Sequence, residues 1–132
     1  LRAREISAKR AYDMAGIKPE DVDIAEIHDC FSIANLIAAE GLGFFDFGTA
    51  GKAWERGEAD IGGKVAINLS GGLKAKGHPI GATGAGQVYE IVKQLRGEVE
   101  PGRQAPEPKI GLTDTLGGDG GTLCTLILQR GW

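Results

Sequence analysis

A glycine-rich run from Asn68 to Gly84 separates a segment of strand character from a segment of helix character. Residues 64–69 are apolar and partly β-branched, as in a buried strand, and apolar residues recur at helical spacing from Val88 to Leu95. Pro79 suits the first position of that helix, where its missing N–H costs nothing. The run therefore predicts a strand–loop–helix junction with His78 beside the positive end of a helix dipole. A histidine in that place is suited to acid–base chemistry.

Nucleotide-binding loops share only their glycines with this run. A phosphate-binding loop needs Lys followed by Ser or Thr, and His78 and Pro79 stand in those positions. Residues 81–86 do not have the glycine spacing of a dinucleotide fingerprint. We therefore do not expect nucleoside triphosphate binding. A purely structural histidine is the remaining alternative for His78.

A second strand-to-helix junction carries the motif His28-Asp29-Cys30-Phe31. Residues 22–27 have strand character and residues 32–39 have helix character, with Ser32 or Asp29 as a possible N-cap. Ligands of open α/β sheets bind at the carboxyl ends of the strands, so we expect His28, Cys30 and His78 to share one site. These three residues are also potential zinc ligands. We predict no metal, because His-x-Cys is an unusual spacing and a fourth ligand is not evident.

A third segment joins two strands through glycines. Residues 109–112 and 122–128 have strand character, and the intervening 113–121 predict a glycine loop between antiparallel strands. Backbone N–H groups of such a loop can hold an oxyanion, although a plain hairpin turn explains the pattern as well. Cys124 stands among apolar residues, and we expect it to be an inert core thiol.

In order and spacing, these three segments resemble the C-terminal half of a thiolase of the sterol-carrier-protein or lipid-transfer type, which has archaeal and bacterial relatives. The motif 28–31 stands where ordinary thiolases carry Asn-Glu-Ala-Phe, and residues 77–79 and 81–84 are hallmarks of the superfamily. The similarity runs from residue 3 to the end. It implies an α/β fold that forms one half of the thiolase-like αβαβα architecture, with a mixed sheet and helices on both faces. It also implies that the first strand of this half is missing, which leaves an open sheet edge for a partner.

The resemblance further implies an acyl-CoA C-acyltransferase that reversibly cleaves or forms 3-ketoacyl-CoA, with acyl-CoA as substrate and no bound cofactor. His78 would activate a nucleophilic cysteine of the N-terminal half, and His28 would join it in a first oxyanion hole. Cys30 would act as acid and base at the substrate α-carbon. Gly117 would donate its backbone N–H to a second oxyanion hole.

Neither Cys30 nor Cys124 fits the nucleophile, which the resemblance places in the N-terminal half. The chain begins at Leu1 without Met, and we expect residues 1–132 to be a partial thiolase C-terminal domain that is inactive alone. Its expected partners are the N-terminal half or a complementary chain, and further copies in a homo-oligomer. The thiolase pattern commonly continues with Asn-Glu where this chain has Ala34 and Asn35.

Two other functions stay open at this point. One is an acyl-CoA aldolase or lyase on the same scaffold, and the other is a non-catalytic interaction segment of an acyl-CoA enzyme complex. A related aldolase branch replaces the catalytic histidines by tyrosines. Retention of His28, Cys30 and His78 therefore favours the thiolase.

Composition narrows the class of protein. The 132 residues suffice for a single core, and a net charge of −3 with scattered basic residues argues against general nucleic-acid binding. Neither a membrane span nor a signal peptide is evident. The two cysteines stand in unlike contexts, which predicts a reducing compartment and a cytoplasmic protein.

Overall fold

The structure is a computed structural model that describes residues 2–131, so Leu1 and Trp132 lie outside the described part of the predicted domain. Five α-helices, four strands and one 3₁₀ turn are present in these residues. In chain order they are α1 (Arg2–Ala15), the 3₁₀ turn (Pro19–Asp21), β1 (Ile24–Ile27), α2 (Ser32–Gly41), α3 (Ala50–Glu55), β2 (Ala66–Ile67), α4 (Gly72–Lys76), α5 (Thr83–Arg96), β3 (Ile110–Gly117) and β4 (Thr122–Gln129).

The four strands form one mixed sheet in the order β2-β1-β3-β4. β1 is parallel to both neighbours, with Ile24 opposite Ala66 and Gly111, whereas β4 is antiparallel to β3. Because β1, β2 and β3 are parallel, their carboxyl ends lie at the same edge of the sheet. This arrangement brings together the segments that follow the three strands, and those segments carry the motifs predicted to be functional.

Helices cover both faces of the sheet, which confirms the predicted α/β class. On one face, α1, α2 and α3 enclose a core that includes Ile27, Leu42, Phe44 and Leu112. On the other face, Ile91 and Leu95 of α5 pack with Ile24 and Ala66. All four residues of β1 are buried, as expected for a strand covered on both sides.

The glycine-rich run is organised differently from the sequence prediction. β2 has only two residues, and the short helix α4 follows it before His78. Pro79 is not the first residue of a helix; its carbonyl instead accepts the N–H groups of Ala82 and Thr83 in a turn, and α5 begins at Thr83. The physical reason is that Gly71 and Gly77, which flank α4, have φ of 85° and 89°, conformations that interrupt a helix.

β3 is longer than the sequence predicts. It continues through residues 113–117, which the sequence predicts to be part of a loop, so that only 118–121 form the turn into β4.

The prediction that Cys124 is an inert core thiol is wrong. Cys124 is exposed, because β4 lies at the edge of the sheet and presents alternate residues to solvent. Within residues 2–131, the outer edge of β4 has no strand partner.

A groove lies between α1 and this outer strand. The two elements are joined by a 2.8 Å hydrogen bond between the hydroxyls of Ser7 and Thr125. The groove has a volume of about 650 Å³, and Ile6, Met14 and Leu126 line it. These three apolar side chains are 45, 89 and 44 % exposed. We call this surface the edge groove.

None of the helices in residues 2–131 has both the length and the apolar composition that a membrane span requires.

Candidate active site

The two histidines of the chain meet at the carboxyl edge of the sheet. His28 follows β1 and is buried, whereas His78 lies between α4 and α5 and is exposed. Their rings are edge to face, with centroids 4.9 Å apart and planes at 83°. The predicted convergence of the two strand ends therefore occurs in the fold.

His28 is held as a neutral ring with a defined tautomer. The backbone N–H of Leu116 donates to Nδ1 at 3.4 Å, a long hydrogen bond, so Nδ1 is an acceptor and the ring proton is on Nε2. The pKa of His28 is lowered, chiefly by burial and then by the charge of His78 and Arg4, against the opposing effect of Asp114 and Asp29. At neutral pH this imidazole is an N–H donor rather than a cation.

His78 contacts Thr83 through its Nδ1 atom. Thr83 Oγ1 lies 2.7 Å from His78 Nδ1 and 3.1 Å from the carbonyl of Pro79, and its single proton serves one of these two acceptors. When that proton goes to Pro79, Nδ1 of His78 is the donor and Nε2 keeps a lone pair, which is the tautomer that a base at Nε2 requires. The exposed His78 thus lies beside a buried His28 that is an N–H donor.

Cys30 lies two residues after His28 and is half-buried. It precedes Phe31, the N-cap of α2, and so lies near the positive end of that helix dipole. Because the pKa of His28 is lowered, chiefly by burial, the end of α2 is the positive group that we expect to act on this thiol at neutral pH.

Gly117 is the last residue of β3 and lies opposite Thr122 of β4. Its carbonyl accepts the N–H of Gly120, which closes the turn between the strands. The backbone group that contacts His28 belongs to Leu116, one residue earlier. The segment 115–117 is therefore adjacent to the histidines, but sequence reasoning did not identify Leu116.

Neither predicted N-cap of α2 has that role. Asp29 Oδ1 instead accepts the N–H of Leu73 in α4 at 2.7 Å, and Ser32 Oγ accepts a proton from Lys74 at 2.9 Å. The N-cap position belongs to Phe31, and its side chain makes no capping bond. The motif that carries His28 thus bonds to the segment that leads to His78.

Glu26 adds a third connection between the same two segments. Its carboxylate accepts the hydroxyl proton of Ser70 at 2.6 Å and lies 3.3 Å from Lys76 Nζ. Burial raises the pKa of Glu26, against the lowering effect of Ser70 and Lys76. The hydrogen bond from Ser70 and the charge of Lys76 therefore offset part of the cost of burying the Glu26 carboxylate.

A buried ion pair joins α1 to β3 on the core side of the sheet. Arg4 Nε donates to both carboxylate oxygens of Asp114 at 3.0 and 3.1 Å. Arg4 Nη2 is 3.0 Å from Oδ2 but makes no hydrogen bond, so Nε is the donor that holds the pair. Gln87 of α5 donates to the Asp114 carbonyl at 2.9 Å and accepts the hydroxyl proton of Thr115. These contacts support the end of β3 next to His28.

In the described part of the chain, no group of three or more His, Cys, Asp or Glu side chains is arranged to hold a metal ion.

Comparison with known proteins establishes the family. Residues 1–130 match the family model described as "Thiolase C-terminal domain-like". The chain belongs to this thiolase family. An acetyl-CoA acetyltransferase of Methanothermobacter thermautotrophicus is 48% identical over 124 residues, which are 94% of this chain and 32% of that protein. Sterol carrier protein 2 of Bos taurus is 47% identical over 120 residues, 91% of this chain and 22% of that protein.

A solved structure shares the thiolase-like fold. The match is to a chain of the "Ltp2-ChsH2(DUF35) aldolase", with a TM-score of 0.81 and 27% identity over 96% of this chain and 31% of that chain. The present chain thus spans about a third or less of the thiolase-family proteins that it resembles. The predicted family and fold class are confirmed.

One departure from the thiolase pattern has a visible consequence. Asn35, where the pattern commonly has Glu, accepts a 3.5 Å hydrogen bond from the amide of Asn68. Asn68 in turn accepts the N–H of Ile27 at 2.7 Å, directly before His28. Position 35 is therefore connected to the end of β1 through a neutral amide.

Proposed function

We propose that this chain is the catalytic C-terminal portion of an acyl-CoA C-acyltransferase that reversibly cleaves or forms 3-ketoacyl-CoA. The observation that carries the proposal is the pair of histidine rings 4.9 Å apart, in which His28 is a buried N–H donor and the exposed His78 is in our proposal the base. Acyl transfer from a thioester needs both a proton acceptor for the nucleophile and a fixed donor for the oxyanion.

The first half-reaction uses the two rings in turn. His78 Nε2 takes the proton of a cysteine thiol supplied by the N-terminal half, and the thiolate attacks the thioester carbonyl of acyl-CoA. His28 Nε2–H donates to the oxyanion of the tetrahedral intermediate. The oxyanion then collapses and the thioester C–S bond breaks. The leaving CoA thiolate takes the proton from His78 Nε2, and the acyl group stays on the cysteine of the N-terminal half.

The second half-reaction assigns a proton transfer to Cys30. In the condensing direction Cys30 removes a proton from the α-carbon of a second acyl-CoA, and the carbanion attacks the acyl-enzyme to release 3-ketoacyl-CoA. In the cleaving direction Cys30 takes the proton of the CoA thiol. Gly117 donates its N–H to the second oxyanion. The accessibility of Cys30 and its place before α2 support this role.

The partners in this proposal are the N-terminal half or a complementary chain, and further copies in an oligomer. The open edge of β4 and the apolar edge groove support a partner at that side of the sheet. A cytoplasmic location stays a prediction.

A second candidate function is an acyl-CoA aldolase or lyase on the same scaffold. One observation favours it, namely that the solved structure with the same fold is named an aldolase. Product analysis separates the two functions. A thiolase gives two acyl-CoA products from 3-ketoacyl-CoA and CoA, whereas a retro-aldol cleavage releases an aldehyde or ketone without consuming CoA.

The proposal is tested with Cys30→Ala and His78→Ala in the chain assembled with its N-terminal half. Cys30→Ala should slow exchange of the substrate α-proton by about 10²-fold or more, the range of general acid–base catalysis, while acylation of the nucleophile survives. His78→Ala should suppress acylation itself. Deuterium exchange and acyl-enzyme formation are measured separately by mass spectrometry.

Two results would contradict these roles. Equal loss of exchange and acylation in Cys30→Ala would remove the assignment of Cys30. Unchanged activity of both variants would identify the chain as a non-catalytic interaction segment.

A further inference from the structure

The carboxyl group of Asp29 joins the two segments that carry the histidines. Asp29 follows His28 directly, is 4 % exposed, and accepts the N–H of Leu73 at 2.7 Å. Leu73 is the second residue of α4, and the helix ends at Lys76, with Gly77 as its C-cap directly before His78. One buried side chain therefore connects the His28 motif to the helix that delivers His78.

The packing around this bond leaves little freedom for α4. Gly72 has a φ of 64°, and a Cβ at this residue would overlap the Asp29 carboxylate. The backbone of α4 thus lies directly against the carboxyl group, in a conformation that glycine adopts without strain. The bonds from Ser70 to Glu26 hold the loop before α4. The remaining connections, from Ser32 to Lys74 and from Glu26 to Lys76, involve exposed lysine side chains that have more freedom to move.

We propose that Asp29 is a positioning residue that sets the separation of the two histidine rings by holding α4 against the His28 motif. Since a hydrogen bond to a buried carboxylate is short and directional, it fixes the start of α4 against the His28 motif. Loss of the bond lets α4 and the following His78 move away from His28. The expected loss of catalysis rests on the function proposed above. The expected increase in the distance between the two rings does not depend on that function.

The test compares Asp29→Ala with Asp29→Asn in the full chain. Asn keeps an oxygen that accepts the Leu73 N–H, and both variants remove the charge, so their difference isolates the hydrogen bond. The chain has only two histidines, so nuclear Overhauser contacts between imidazole protons report the pair unambiguously. We expect these contacts in the wild type and Asp29→Asn, and their loss in Asp29→Ala.

Activity of the assembled enzyme gives the second readout. Asp29→Ala should lower kcat on the order of 10²-fold with little change in KM, the size expected for misplacement of a catalytic group, and Asp29→Asn should restore most of it. Asp23→Ala is the matched control, because Asp23 also accepts backbone N–H groups, from Lys109 and Ile110, but at the opposite end of β1. This control should retain both the ring contacts and kcat.

Retention of the ring contacts in Asp29→Ala, or their loss in Asp29→Asn as well, would overturn the proposal. Loss of the contacts in Asp29→Ala alone, in an assembly without acyl transfer, would support the positioning role and reject the proposed function. If Asp29→Ala does not fold, hydrogen exchange of the Leu73 amide in the wild type decides the matter. Strong protection supports the bond, and exchange at the rate of an open loop refutes it.

Discussion

A single residue contacts the Nδ1 atom of each histidine. Leu116 donates its N–H to Nδ1 of His28, which places the ring proton of His28 on Nε2. Thr83 Oγ1 lies 2.7 Å from Nδ1 of His78. Burial and the charge of His78 both lower the pKa of His28. The buried ring is therefore a neutral donor at neutral pH, beside the exposed ring that we propose to be the base.

The lowered pKa of His28 predicts how stability depends on pH. Because the folded state holds the neutral ring, the unfolded state binds more protons between the folded pKa and the ordinary value of 6.5. The contribution of His28 to the free energy of unfolding should be complete above pH 6.5 and should decrease as the pH falls towards the folded pKa. Urea denaturation between pH 5 and 8 measures it.

His28→Asn should flatten this part of the pH profile. His78→Asn is the comparison variant, which should keep most of the slope, because burial is the largest cause of the lowered pKa of His28 and the charge of His78 is the second. Parallel profiles for the wild type and His28→Asn would contradict the prediction.

Among the secondary-structure elements, α1 and β3 depend on one buried contact. Arg4 and Asp114 are 5 and 0 % exposed, so each charge relies on the other. Removing one partner of a buried pair leaves an uncompensated charge, which costs more than the pair itself contributes. The pair therefore fixes α1 on the sheet beneath the end of β3.

Arg4→Met should lower the free energy of unfolding by about 3–5 kcal/mol, the cost of leaving a buried carboxylate unpaired. Lys9→Met, which breaks the exposed pair between Lys9 and Asp13 on the same helix, should cost less than about 1 kcal/mol. Denaturant unfolding monitored by circular dichroism compares them. Similar losses in the two variants would show that Asp114 is solvated or protonated once Arg4 is absent.

The elements also show what sequence patterns can predict. Apolar periodicity predicted α2, α5, β1 and the antiparallel pair β3–β4, because each pattern is local. It did not predict α4 or the roles of Asp29 and Arg4, whose partners Leu73 and Asp114 are distant in the chain. The sequence predicts Asp29 as a possible N-cap of α2, the helix nearest in sequence. In the fold, its carboxylate instead accepts the N–H of Leu73 in α4. The burial of Cys124 could not be predicted from its apolar neighbours in sequence, because it depends on whether another strand pairs with β4.

At the scale of the whole molecule, the sheet is asymmetric. The carboxyl edge gathers the histidines. Among residues 2–131, the outer edge of β4 has no strand partner and borders the edge groove. The chain matches only 32% and 22% of two of its relatives, so most of the acyl pocket and the nucleophile belong, in our proposal, to the partner. The side of β4 is where we expect the partner to dock.

Leu126→Glu should weaken association with the N-terminal half about tenfold or more, because it buries a charge in an apolar interface. Tyr89→Glu is the matched control, since Tyr89 is an exposed side chain on α5, on a different surface. Sedimentation or calorimetry measures the affinity, and circular dichroism checks that both variants are folded. An unchanged affinity in Leu126→Glu would move the docking surface away from β4.

The contact between Asp29 and Gly72 has an evolutionary consequence. Position 72 accepts no side chain while the carboxyl group occupies the adjoining space. A lineage that loses this glycine must first shorten or remove the acid, and a lineage that loses the acid frees the glycine to vary. We therefore expect positions 29 and 72 to change together during evolution, with the acid at position 29 lost before the glycine at position 72 is replaced.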